Sequence, residues 1–263
     1  MSTGILCSHC RSGRHGSGLG GECMRLLVGV LALVTILACA LLAATNTVVM
    51  PTEIGVSCNK HKPFTATAHT TLSRVYPSGL KKTVTTEDRI ARSRDGAVLR
   101  EQHAPWTEDA TQPVYYINIV DPGKMERIHI DPQKHLVVDR PVDQHTQWDY
   151  VPYDGTQYRI ATKPGVTVDT ESLGNQEIGG LKCRGERTTY LYSPGTLHGN
   201  QGPLTRTLEV WYSKELGADV RITAHDPNPE AGDQQTDLIN IKYGEPDPTI
   251  FVSPPGYAVQ SAP

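Results

Sequence analysis

Val114-Tyr115-Tyr116-Ile117-Asn118-Ile119-Val120-Asp121-Pro122-Gly123-Lys124-Met125-Glu126-Arg127-Ile128-His129-Ile130-Asp131-Pro132 contains two apolar stretches, each closed by a turn signal. Val114 to Val120 ends at Asp121-Pro122-Gly123, and Met125 to Ile130 ends at Asp131-Pro132. In Met125 to Ile130 the apolar and polar residues change places at period two, as a strand with one covered face requires. Pro sets φ, Gly tolerates positive φ, and Asp bonds its own backbone, so each turn has a chemical cause.

The same grammar extends in both directions. Phe64 to Val75, Lys82 to Ser93, Ala97 to Gln102, Arg187 to Tyr192, Leu204 to Tyr212, Asp219 to Ala224 and Thr236 to Tyr243 read as further strands. They are punctuated by Pro77-Ser78-Gly79, Arg94-Asp95-Gly96, Tyr153-Asp154-Gly155, Ser193-Pro194-Gly195 and Asp226-Pro227-Asn228. Short helices are expected near Thr170 to Gly174 and around Pro246 to Phe251, and Gln144 to Gly165 reads as a long connection or flap. Many short strands between turns indicate an antiparallel meander, sandwich or barrel. Only two of the 263 residues are Phe, whereas eleven are Tyr, so a β-branched and Tyr-rich core is expected.

Upstream, residues 26–44 are nineteen consecutive uncharged positions of mostly Leu, Val, Ala and Ile. At about 1.5 Å per residue such a helix spans most of a hydrocarbon core of roughly 30 Å. Arg11, Arg14 and Arg25 precede it against Glu22, which places the N-terminal side in the cytoplasm and the rest outside. Three fates fit the run: an uncleaved anchor in the inner membrane; a signal sequence, read from a start at Met24 rather than Met1 and cut near Ala40 or Ala44; or lipidation at Cys39, since Ile36-Leu37-Ala38-Cys39 resembles a lipoprotein box. The expected organisation is a cytoplasmic segment over 1–25, a transmembrane or signal helix over 26–48, a linker over 49–62, a β-rich extracytoplasmic domain over 63–259 and a tail over 260–263.

Three of the 25 Lys and Arg and one of the 28 Asp and Glu lie in residues 1–44, leaving 22 basic and 27 acidic side chains beyond them, a formal charge of −5. A mildly acidic surface has no electrostatic grip on nucleic acid. Beyond the apolar run only Cys58 and Cys183 remain, and they are either a disulfide closing a very long loop or two buried thiols. On the other side, Cys7, Cys10, His15 and Cys23 hold zinc-ligand residue types at a spacing too generic to assign a site.

Enzyme signatures are missing. The chain has no GxSxG elbow, HExxH, P-loop or GxGxxG. His61, His69, His103, His129, His135, His145, His198 and His225 are scattered singly, and no metal or cofactor is expected. Asp226 to Asp233 imitates a calcium loop, but its Gly232 is seventh rather than sixth and two prolines stiffen it. An envelope hydrolase would need groups such as His135, Asp139 and Asp143 to converge. The rings of Trp148, Tyr150, Tyr153 and Tyr158 form a candidate ligand clamp, or else fold over a sheet edge.

Two groups of segments carry a resemblance to a known family. Glu171-Ser172-Leu173-Gly174 through Gly179-Gly180-Leu181-Lys182-Cys183-Arg184-Gly185 is one. The other runs from Leu208-Glu209-Val210-Trp211-Tyr212-Ser213 through Thr236-Asp237-Leu238-Ile239-Asn240-Ile241 to Phe251-Val252-Ser253-Pro254-Pro255-Gly256-Tyr257, with Arg92 to Glu101 and Ile119 to Pro132 adding similar hairpins. Together they resemble the LolA/LolB-like lipoprotein-carrier superfamily. The resemblance implies a curved antiparallel sheet or half-open barrel with a few short helices, whose concave face admits an acyl chain or other apolar ligand. No catalytic residue carries over. The expected function is therefore non-enzymatic binding of lipid, lipoprotein or another apolar ligand in the periplasm. A membrane-anchored sensor or scaffold for a protein partner is the first rival, and an envelope hydrolase the second.

Overall fold

The computed structural model describes residues 53–58, 62–103, 113–141, 164–197, 199–228 and 231–261. The apolar run and the flap aromatics lie outside these residues. The described residues all belong to one compact unit within Val49–Pro263. Among the described residues no helix is long and apolar enough to cross a membrane.

The strands are β1 Phe64–Val75, β2 Lys81–Arg92, β3 Val98–His103, β4 Val114–Asp121, β5 Glu126–Asp131, β6 Leu136–Pro141, β7 Val166–Ile178, β8 Leu181–Tyr192, β9 Leu204–Ser213, β10 Ala218–His225, β11 Asp233–Tyr243 and β12 Ala258–Ser261. They make one open, curved twelve-stranded sheet in the order β12-β6-β5-β4-β3-β2-β1-β11-β10-β9-β8-β7. Two meanders, β1–β6 and β7–β11, are stitched together by the antiparallel β1–β11 pair; only β12 runs parallel, along β6. All nine strands read from the sequence are present, and β6, β7, β12 and the first half of β8 are additional.

The helix expected near Thr170 to Gly174 is instead the middle of β7. Its run Thr170 to Gln176, polar but for Leu173 and Gly174, has no apolar face to show at period two, yet β7 pairs with β8 from Val166↔Tyr192 to Ile178↔Leu181. Gly179 and Gly180, at φ 59° and 80°, turn the chain in two residues with the handedness that a tight hairpin needs. The second expected helix is present as a 3-10 turn, Pro248–Phe251, whose Thr249 N–H donates to Asp247 Oδ1 at 2.9 Å.

Strand registers assign every residue to one of two faces. The inner face carries Phe64, Ala66, Ala68, Leu72, Ile90, Val98, Val120, Leu208, Val210, Ile222 and Leu238, all buried. Over most of the sheet the outer face carries cross-strand ion pairs: Arg89–Glu101 at 2.6 Å, Arg221–Asp237 at 2.5 Å, and Arg187 with both Glu171 and Glu209 at 2.6 Å. Across β3–β6 that outer face turns apolar, and Leu99, Ile119, Ile128, Ile130 and Val137 are buried with Phe251. On β8, Gly185 is dictated by close approach, because a Cβ there would lie 2.6 Å from the Trp211 ring.

Residues 53–58, read from the sequence as part of a linker, pack onto the sheet with Ile54 and Val56 buried and Val56 bridging Ala218. Arg92 holds this segment in place. Fully buried, its guanidinium donates to the carbonyls of Leu216 at 2.6 Å, Lys62 at 2.8 Å, Gly217 at 3.2 Å and Ser57 at 3.4 Å, and it lies 4.9 Å from the Phe64 ring. Burial lowers its pKa to about 10. Removing the donors strands several buried carbonyls, and each unsatisfied group costs about 1–3 kcal/mol. Arg92→Met is therefore expected to lower the unfolding free energy by about 3 kcal/mol or more, read from the urea midpoint, and Arg92→Lys by less.

Candidate functional site

On the inner face, β11, β1, β2 and β3 leave a trough of about 200 Å³ with Glu53 and Ile54 along one side. Ile54, Ala68, Leu72 and Val84 supply its apolar surface; Thr70, Thr86, Asp88, Arg100, Gln102, His103, Gln234 and Thr236 supply the polar border. The polar residues sit there because strand register, not hydrophobicity, points them inward: Thr70 pairs with both Thr86 and Thr236, Ala68 with Asp88, and Ile90 with Arg100.

Most of this border is already matched. Arg100 donates to the Glu53 carboxylate and to the Ile54 carbonyl. Gln102 Nε2 donates to Glu53 Oε1 at 2.5 Å, Asn118 Nδ2 to Gln102 Oε1 at 3.1 Å, and His129 Nδ1 to Asn118 Oδ1 at 2.8 Å. That chain crosses β3, β4 and β5 and ends where the Tyr116 ring lies 4.6 Å from the His129 ring. The Asp88 carboxylate accepts from His103 N at 2.8 Å and faces His103 Nδ1 at 3.1 Å; burial pushes its pKa up despite these bonds. The Thr70 and Thr236 hydroxyls bond each other at 3.0 Å. The result is a short apolar strip inside a polar frame, suited to holding a ligand with little polar reorganisation.

The sequence-derived candidates fare differently. Trp148, Tyr150, Tyr153, Tyr158 and Cys39 lie outside the described residues. Cys58 and Cys183 are both free thiols in the structure. Cys183 is buried on β8 with Sγ 3.4 Å from the Leu181 carbonyl, whereas Cys58 lies in the packed N-terminal segment, where burial pushes its thiol up to about 11. Of the hydrolase constellation, His135 packs edge-on against Tyr257 at 5.1 Å. Asp139 instead lies against Glu126, whose carboxyl is held high by burial and by that neighbour, and Asp143 is outside the described residues. In the calcium-like turn, Asp226 is committed to Arg206 and to Asn228 N, and Asp233 to His225 at 2.5 Å. Among the described residues no group of three His, Cys, Asp or Glu can hold a metal.

None of the trough residues stood out in the sequence. Their signal was indirect: polar residues at inner-face positions of four neighbouring strands, visible only once register is known.

No protein-family model and no curated protein matches the chain. Solved structures do resemble it. An uncharacterized conserved protein from Thermus thermophilus is 9% identical, with 78% of this chain and 93% of that one covered, at a TM-score of 0.42. A LolA superfamily protein from Nitrosomonas europaea is 10% identical over 74% and 94%, at 0.33. The MucA/MucB complex structure from Pseudomonas aeruginosa matches at 10% identity over 78% and 60%, at 0.39. A LolA superfamily structure is thus among those this chain resembles.

Two outcomes follow from the site. Peptide mapping without reductant should recover Cys58 and Cys183 in separate alkylated peptides. Burial lowers the His129 pKa below its ordinary 6.5, so under acidification the unfolded chain takes up a proton before the folded chain does. Stability should therefore fall as pH drops below 6.5 toward the lowered value, and His129→Gln should flatten that part of the urea-midpoint profile.

Proposed function

We propose that the β-rich unit is an extracytoplasmic, non-enzymatic binding module that takes an apolar segment of a lipid or lipoprotein into the inner-face trough, with residues 26–48 anchoring it in the inner membrane or exporting it to the periplasm. The observation that carries this reading is the strip Ile54, Ala68, Leu72 and Val84 framed by matched polar groups. Its volume of about 200 Å³ lies below the roughly 300–1,000 Å³ of pockets that enclose a whole small ligand. The trough is therefore read as gripping part of a chain. At about 25 cal/mol per Å², burying so short an apolar strip is worth only about 2 kcal/mol, which suits reversible holding.

A second reading, a scaffold for a protein partner, draws on β7. Among the described residues β7 has a strand neighbour on one side only, and most of its residues are exposed. An extended peptide can extend such an edge.

Native mass spectrometry of residues 46–263, exported in a bacterial host and purified without detergent, distinguishes the two. The lipid reading predicts an adduct of lipid mass that denaturation releases and that Val84→Glu reduces about tenfold, consistent with losing one or two kcal/mol of apolar contact. A clean apoprotein mass would contradict lipid uptake and favour the scaffold.

A further inference from the structure

The β1–β2 hairpin ends in Arg74-Val75-Tyr76-Pro77-Ser78-Gly79-Leu80-Lys81-Lys82. Val75, Tyr76 and Leu80 are 39, 42 and 63% exposed, three large apolar side chains within six residues. Arg74, Lys81 and Lys82 flank them, and no acid occurs between 74 and 82 in a chain of net charge −3. An isolated exposed Leu needs no explanation, but apolar side chains grouped with cations at a projecting tip do.

The tip is also pre-ordered. Tyr76 N donates to Leu80 O at 2.9 Å, Gly79 N to Tyr76 O at 2.8 Å, and Leu80 N lies 3.4 Å from Ser78 Oγ. Gly79 takes the φ of 80° that the turn demands, and Pro77 fixes its own φ. Below the tip, the Ser73 and Thr83 hydroxyls bond at 2.9 Å, so the backbone that carries these side chains is ordered before any contact is made. Position matters too. Leu72 and Val84 pair across β1–β2 in the trough, and the next inner-face pair outward is Arg74 with Lys82.

We infer that this hairpin tip docks on an anionic lipid surface, Val75, Tyr76 and Leu80 entering the interface while Arg74, Lys81 and Lys82 meet the headgroups, so that the trough opens toward the bilayer. Interfacial segments combine such apolar and basic residues, and each cation near an anionic leaflet adds attraction that salt screens. The trough's part in this rests on the lipid-binding reading above; docking of the tip is tested apart from it.

The test uses the full chain reconstituted with vesicles of brominated phosphatidylcholine, with or without phosphatidylglycerol. A tryptophan is introduced by Tyr76→Trp or, separately, by Leu80→Trp, and its emission is taken as the difference from the unmodified chain. Val259→Trp, at a position 67% exposed on β12, is the control. In vesicles with phosphatidylglycerol the tip tryptophan should be quenched about twofold or more relative to the control, as insertion to the headgroup–acyl boundary requires. Quenching should fall without phosphatidylglycerol, and with Lys81→Glu and Lys82→Glu combined. Equal quenching at tip and control, none at either tip position, or quenching indifferent to phosphatidylglycerol would overturn the inference. A quenched tip in a protein that carries no lipid adduct would uphold docking while removing lipid uptake.

Discussion

Arg92 donates to carbonyls from two places far apart in the chain, residues 57 and 62 before β1 and residues 216 and 217 in the β9–β10 turn. Backbone carbonyls are partial charges, and a guanidinium with five donors in a fixed fork can satisfy four of them at once, one more than the three donors of an ammonium allow. On the neighbouring strand, Arg100 holds the start of the same segment through Glu53 and the Ile54 carbonyl. Two inward-facing arginines thus hold residues 53–58 against the sheet, with Glu53 and Ile54 forming one wall of the trough. Without that wall Ile54 would not face Ala68, Leu72 and Val84.

The two faces of the sheet use polar chemistry for different ends. Outward pairs such as Arg187 with Glu171 and Glu209 are half exposed, and each is worth little in stability. Their use is in register, since a one-residue slip would turn charges inward and apolar residues outward. Inward polar groups cannot lean on water, so they are bonded in chains: Glu53 to Gln102 to Asn118 to His129, and Asp88 to His103. Such matching leaves the apolar strip as the part of the trough with most to gain from a ligand.

Strand existence was legible over most of the sheet where one face is buried, although the first half of β8, with Leu181, Cys183 and Gly185 buried at alternate positions, was not. Phe64 to Val75 was read with the bounds that β1 has, because Phe64, Ala66, Ala68 and Leu72 mark the inner face at period two. β7 was not, because an edge strand with mostly exposed residues has little apolar pattern, and its identity comes from hydrogen bonding to β8 and from Gly179-Gly180. β12 escaped for the same reason, its four residues all being exposed. The trough was illegible because it is assembled from strands and a packed segment more than 150 residues apart in sequence, from Glu53 to Thr236. The resemblance to the lipoprotein-carrier superfamily pointed to a curved antiparallel sheet, which is present, but identified no trough residue.

Methyl-resolved NMR of the labelled protein, titrated with a lysophospholipid below its micelle concentration, tests the central claim that the inner-face trough is the ligand site. The account predicts saturable shifts concentrated on Ile54, Ala68, Leu72 and Val84. Shifts centred on the outer-face cluster of Ile119, Ile128 and Ile130, or a spectrum unchanged throughout the titration, would contradict it.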